Sequence, residues 1–245
     1  MLRPMTRRAI LAACQMGPLH RADGRAVVLA RMVALLEKAA RMGAEVAVFP
    51  ELALTTFFPR WYLQDQDELH SYYEHSMPNA STQPLFDLAR ELGIGFYLGY
   101  AELANDGGQI GQYNTSILVD KAGQIIGKYR KIHLPGTVEP RVGDRFQQLE
   151  KRYFEYGDLG FPAFRGPESW GRPVLGMLIC NDRRWPETYR VMALQGAEVI
   201  VLGYNTPSVN IHWNEPVHLR TSTHLISLQA NAYQNRKVDN KNNQF

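Results

Sequence analysis

Apolar residues in this chain fall into short unbroken runs separated by stripes at helical spacing, the alternation that places strands and helices in turn along an α/β domain. Residues 8–15 read as a first strand. Over residues 23–42 the apolar positions Val27, Val28, Met32, Leu35, Leu36 and Ala39 make a helical stripe that Gly43 closes. A second buried strand at 45–49 runs into Pro50-Glu51, so the opening is a βαβ unit, with parallel strands and a right-handed crossover. A helix from Ser81, with Pro84 in its first turn and Gly93 at its end, leads to a strand at 95–100. Strand patterns at 113–119 and 124–129 flank Asp120-Lys121-Ala122-Gly123 and predict a hairpin. Residues 131–172 are rich in Gly, Pro and charge and show little periodicity, and irregular segments of that length are usually functional. The βαβ rhythm resumes with the apolar run 174–179, a helix over 186–195 stopped by Gly196, a strand at 198–202 and a final helix over 217–233. No internal repeat is visible.

Composition narrows the class. With 245 residues, 45% hydrophobic and 21% charged, the chain is an ordinary soluble globular protein of one large or two small domains. The formal charge of +3 is spread along it with no basic stripe, which argues against nucleic acid as a partner. Two cysteines make no disulfide framework and suit a reducing cytoplasm. Arg3, Arg7 and Arg8 precede a short apolar stretch that superficially resembles an export signal, but its length of about six residues is below the roughly 7 to 15 required. It reads instead as the first strand, with Cys14 as core filler. No apolar run approaches the roughly 18 residues of a membrane span. The last ten residues, 236–245, lack a core face and are expected to form a disordered tail after a domain at 1–235.

Three ionisable residues lie just past strands: Glu51, Lys131 and Cys180. Loops at the carboxyl ends of strands in open α/β sheets are where ligands bind, and neighbouring strand ends converge on one rim. There a carboxylate could serve as base for the thiol, and a lysine could stabilise an oxyanion. Cys180 is followed by Asn181-Asp182-Arg183-Arg184-Trp185-Pro186, and nearby positive charge favours the thiolate. Each residue alone also has a plain reading: inert core for Cys180, a solvated edge charge for Lys131. No metal site is apparent, since His212, His218 and His224 are six apart and face opposite sides of a helix. No phosphate-cradling glycine loop is present.

The segments Phe49-Pro50-Glu51, Arg130-Lys131-Ile132-His133-Leu134-Pro135-Gly136 and Ile179-Cys180-Asn181-Asp182-Arg183-Arg184-Trp185-Pro186 resemble the three signature segments of the nitrilase superfamily of carbon–nitrogen hydrolases. The stretches 51–61, 149–154 and 203–207 look like its N-carbamoyl-D-amino acid amidohydrolase branch. The resemblance runs from about residue 8 to residue 235. It implies an αββα four-layer sandwich, usually dimerised, and a cofactor-independent hydrolase. It makes Glu51 the general base, Lys131 the oxyanion stabiliser, Cys180 the nucleophile and Glu150 a second acid that holds the lysine. It also implies an N-carbamoyl amino acid as substrate. Arg183 and Arg184 are candidates for binding its carboxylate through charge-assisted hydrogen bonds. Asn205 and Thr206 resemble substrate-contacting residues, with a turn-forming role open for Asn205. Asn181 belongs to the same candidate pocket, and His133 either orients the site or is a core histidine.

Two departures from the family pattern stand out. Gln148 replaces a histidine, which keeps hydrogen bonding but alters pH dependence. Members of the family also continue with further strands past the position of Asn235. This predicts a truncated or frameshifted product with an intact triad, an incomplete sandwich and an exposed sheet edge.

Overall fold

The computed structural model describes residues 9–206 and 216–235. The tail expected at 236–245 and His212 lie outside them.

A six-stranded sheet is built from β1 (Leu11–Ala13), β2 (Val46–Val48), β3 (Tyr73–Glu74), β4 (Gly95–Asp106), β5 (Gln109–Val119) and β6 (Ile125–Arg130). Its order is β1-β2-β4-β5-β6, with β3 alongside β4. The second sheet holds β7 (Ala163–Arg165), β8 (Val174–Ile179) and β9 (Val199–Gly203) in that order. The helices are α1 (Arg25–Arg41), α2 (Gln66–Ser71), α3 (Gln83–Leu92), α4 (Glu150–Tyr153), α5 (Pro186–Leu194) and α6 (Val217–Gln234). The expected βαβ units are both present: β1 pairs parallel with β2 across α1, and β8 parallel with β9 across α5.

Side-chain alternation sorts the large sheet into two faces. Ala47, Phe49, Phe96 and Leu98 turn outward against Val28, Met32 and Leu36 of α1 and Leu85, Phe86 and Ala89 of α3. Val46, Tyr97, Leu118 and Tyr129 belong to the core shared with Leu175, Met177, Ile179 and Val201 of the small sheet. Tyr189 and Met192 of α5 and Leu228 of α6 pack with that second sheet. The result is the αββα layering the resemblance implies. Each fully buried Leu, Met or Phe in these layers stabilises the fold by about 1.5–3 kcal/mol. A hydrogen bond from the Tyr97 hydroxyl to the Leu178 carbonyl, 2.9 Å, ties the two sheets near the site.

Three features differ from the pattern reading. The strand beginning at Gly95 does not stop at 100 but continues to Asp106, because Gly107 and Gly108, both at positive φ, turn it directly into β5. The irregular segment 131–172 contains α4 and the edge strand β7. Glu51, Lys131 and Cys180 do not share one sheet rim: the first two follow strands of the large sheet, the third a strand of the small one. Face-to-face packing of the sheets, rather than convergence within one, brings them together.

Candidate active site

Glu51 lies three residues past β2, in a turn where Leu52 takes a positive φ of 49°. Two glycines leave room for that turn. A Cβ on Gly99 would sit 2.8 Å from the Pro50 carbonyl oxygen and 2.9 Å from Glu51 Cα. A Cβ on Gly203 would sit 2.9 Å from the Phe49 carbonyl oxygen and 3.1 Å from Glu51 N. Both sheets therefore press their backbones onto the loop that carries the carboxylate, which is fully buried.

Lys131 follows β6 and is fully buried, with its Nζ donating to Glu51 Oε1 at 2.6 Å and to Glu150 Oε2 at 2.5 Å. Asn114 Nδ2 donates to the same Glu51 oxygen at 2.8 Å, and the Asn205 backbone N–H reaches the other oxygen at 3.2 Å. Burial alone would discharge the lysine, but the facing carboxylates of Glu150 and Glu51 hold its ammonium well above the ordinary lysine value. Burial pushes the Glu150 carboxyl up to about 7, with Lys131 pulling it down and Glu51 raising it. Glu150 opens α4, whose Tyr153 packs with Phe58, Tyr73 and Phe154 in an aromatic cluster, so the acid stands on a rigid base.

Cys180 directly follows β8 at a positive φ of 48°, in the left-handed region that non-glycine residues rarely adopt. Strain of this kind, observed at a nucleophile candidate, is a pointer to function. Burial raises the thiol to about 11, Glu51 and Glu150 add to the rise, and Lys131 and Arg183 oppose it. The thiol is therefore within electrostatic reach of all four. Its Sγ lies 3.4 Å from Thr206 Oγ1 and 3.7 Å from Arg183 Nη1.

The turn after Cys180 is fastened by Asp182, fully buried. Its carboxylate accepts from the Tyr129 hydroxyl at 2.8 Å, the Ile179 N–H at 3.1 Å, the His133 N–H at 3.0 Å and the His133 ring nitrogen Nδ1 at 2.9 Å. His133 is thus satisfied by a side chain, and its ring stacks between Trp185 and Phe161. Asn181 Nδ2 donates to the His133 carbonyl at 3.1 Å. These contacts lock the loop bearing Lys131 to the loop bearing Cys180.

The two arginines part company. Arg184 is exposed, whereas Arg183 is buried and turned inward, donating to the Cys180 carbonyl at 2.6 Å, to Thr206 Oγ1 at 3.4 Å and to His224 Nδ1 of α6 at 2.7 Å. The structure accordingly assembles Glu51, Lys131, Glu150, Cys180, Asn205, Thr206 and Arg183 in one region, with His133 and Asn181 as its fastening. Asn114, Tyr129, Asp182 and His224 had no role in the sequence reading. Asn114 carries a detectable signal, as a polar residue of low strand propensity inside the strand pattern at 113–119. The other three are visible only once the two sheets are stacked. Among the described residues, no group of three or more His, Cys, Asp or Glu is placed to hold a metal ion, and no helix is long and apolar enough to cross a membrane.

Comparison with known proteins places the chain in a family. The family model described as carbon-nitrogen hydrolase matches residues 10–237. A nitrilase of Pyrococcus abyssi is 36% identical over 166 residues, covering 68% of this chain and 54% of the relative. An N-carbamoylputrescine amidase of Solanum lycopersicum is 34% identical over 167 residues, covering 68% of this chain and 49% of the relative. The chain thus spans about half the length of these curated relatives. The crystal structure of a carbon-nitrogen hydrolase from Helicobacter pylori superposes with a TM-score of 0.74 at 23% identity, over 93% of this chain and 70% of that one.

Proposed function

The chain belongs to the carbon–nitrogen hydrolase family, in the nitrilase superfamily, and on that premise we propose that it hydrolyses N-carbamoyl-D-amino acids to the D-amino acid, ammonia and carbon dioxide. One observation carries the reading: a buried ammonium clamped between two carboxylates, within electrostatic reach of a thiol held at a strained strand end. A thiol raised to about 11 is almost wholly protonated at neutral pH, so it needs a base when substrate arrives. Glu51 is the base. It takes the thiol proton as Sγ attacks the ureido carbon, and the Lys131 ammonium stabilises the oxyanion. The tetrahedral intermediate collapses with cleavage of the bond to the amino acid nitrogen, which leaves with the proton from Glu51. Cys180 then carries a thiocarbamoyl group. Glu51 next deprotonates a water that attacks this group, the thiol is regenerated, and the released carbamic acid breaks down to ammonia and carbon dioxide. Glu150 keeps Lys131 in place and charged. The chemistry calls on no cofactor.

Choice of substrate rests on two supports. The stretches 51–61, 149–154 and 203–207 resemble the D-carbamoylase branch, and one relative is named for an N-carbamoyl compound. Because Arg183 is committed inside the protein, exposed Arg184 is the arginine we assign to the substrate carboxylate. Another amidase activity, on a β-ureido acid or an aliphatic amide, is the second reading, favoured by relatives named formamidase. We also propose a homodimer. The experiment is ammonia release from N-carbamoyl-D-phenylalanine, N-carbamoyl-L-phenylalanine and a simple aliphatic amide, repeated with Cys180→Ala. Release from the D-compound, abolished by the substitution, is expected. Release from the simple amide alone moves the assignment to the second reading, and ligand binding without release means a non-catalytic remnant.

A further inference from the structure

Arg183 makes a set of contacts unlike those of a substrate-binding arginine. Its guanidinium lies behind the nucleophile: Nη1 donates to the Cys180 carbonyl at 2.6 Å and approaches Sγ at 3.7 Å, while Nη2 reaches Thr206 Oγ1 at 3.4 Å. Thr206 Oγ1 is itself 3.4 Å from Sγ, so the thiol, the hydroxyl and the guanidinium are in mutual contact. The remaining donor, Nε, points to His224 Nδ1 at 2.7 Å. The same residue's backbone carbonyl is held as well, by Ser227 Oγ of α6 at 3.0 Å and Tyr189 of α5 at 3.2 Å.

Resting on the reading of Cys180 as nucleophile, we propose that His224 is a positioning residue that holds Arg183 against the Cys180 thiol, and that it does so only as the neutral imidazole. The reason is hydrogen-bond polarity. An arginine can only donate, so His224 Nδ1 must accept, and it accepts only when it carries no proton. A second proton would turn the acceptor into a donor and set an imidazolium against a guanidinium. Arg183 would then lose its anchor, and the thiol would lose an adjacent positive charge that favours its thiolate.

The charged groups around His224 push in the direction the latch requires. Burial lowers its pKa below the ordinary histidine value, and Arg183 and Arg184 on the turn after β8 lower it further. On its own helix Arg220 precedes it by one turn. After β9, Tyr204 presents its ring edge-on at 5.2 Å and also lies under the Arg183 guanidinium. From α5, Arg190 is occupied with the Gln234 carbonyl at 3.2 Å. The latch is therefore closed at neutral pH and opens only as pH falls below the ordinary histidine range.

Alkylation of Cys180 by iodoacetamide, followed by peptide mass mapping between about pH 5 and pH 8, tests this without any assumption about substrate. Three forms are compared: the unsubstituted chain, His224→Asn and His224→Phe, with folding checked by circular dichroism. Asparagine offers a carbonyl acceptor near the position of Nδ1 and does not titrate. It is expected to keep the rate at the alkaline end within about threefold, whereas phenylalanine, which removes the acceptor, slows it about tenfold. The decisive quantity is the rate ratio of the unsubstituted chain to His224→Asn, in which titration of Cys180 and Glu150 cancels. It should be flat above neutrality and fall about tenfold as pH drops through the His224 range. A ratio constant with pH, or a folded His224→Phe chain that reacts at the unsubstituted rate, overturns the latch while leaving Cys180 as nucleophile. A Cys180 that resists alkylation in every form at every pH overturns the reading beneath both.

Discussion

The candidate site is built on an imbalance of buried charge. One ammonium serves two carboxylates, and the thiol beside them is kept protonated until a base is used. Removing the cation should therefore cost more than activity. Lys131→Met leaves Glu51 and Glu150 buried without a counter-charge, and we expect a loss of about 3–5 kcal/mol in denaturant unfolding together with loss of turnover. Glu51→Gln keeps size and hydrogen bonding but cannot take a proton, so kcat should fall by about 10²–10⁴-fold in steady-state kinetics. Glu150 gives a prediction of opposite sign to the usual acid. Its carboxyl is raised to about 7 in the folded chain against an ordinary value of 4.5, so between these limits the folded state binds more protons than the unfolded state. Stability should decline as pH rises through that window. Chemical denaturation across it should show a shallower pH slope in Glu150→Gln than in the unsubstituted chain.

At the scale of elements, close backbone contacts set the positions of the reactive groups. Gly99 of β4 lies directly beneath the Glu51 turn, and Gly99→Ala places a methyl group 2.8 Å from the Pro50 carbonyl oxygen. Overpacking of this kind costs about 1–3 kcal/mol, and a thermal melt should show the loss together with reduced turnover. Tyr129→Phe removes one of the ties that hold Asp182 and should cost about 1–3 kcal/mol by the same measurement. Much of this layer was legible in the chain before its structure. The βαβ openings, the β5–β6 hairpin and the strand-end positions of Glu51, Lys131 and Cys180 follow from runs, stripes and turn residues. What was not legible depends on contacts between distant segments. Gly107-Gly108 does not stand out in the sequence as a hairpin turn because the strand before it mixes apolar and charged residues, Ala101-Glu102-Leu103-Ala104. Glu102 there is buried only because Arg130 and Lys128 of β6 meet it. In the sequence Arg183 is a carboxylate-binding candidate on a par with Arg184, since nothing local shows that α6 supplies His224 to hold it inside. Asp182 read as one polar residue of a turn, and its four donors come from β6, β8 and the loop after β6.

In the molecule as a whole, the proposed catalysis depends on stacking two sheets. The large sheet contributes the carboxylate and the lysine, the small sheet the thiol, and the core between them, with the Tyr97–Leu178 hydrogen bond, sets their separation. Neither sheet holds a working set alone. Stacking thus brings residues 51, 131, 150 and 180 into one region even though they are spread over more than half of the chain. The most direct test of that unity is to trap the covalent intermediate. N-carbamoyl-D-phenylalanine labelled with ¹³C in the ureido group is mixed with the chain, quenched in acid and analysed by peptide mass mapping. The account predicts one labelled carbamoyl group on the peptide containing Cys180, absent from Cys180→Ala and from Lys131→Met. Ammonia release that persists in Cys180→Ala, with no label on any cysteine, would contradict it.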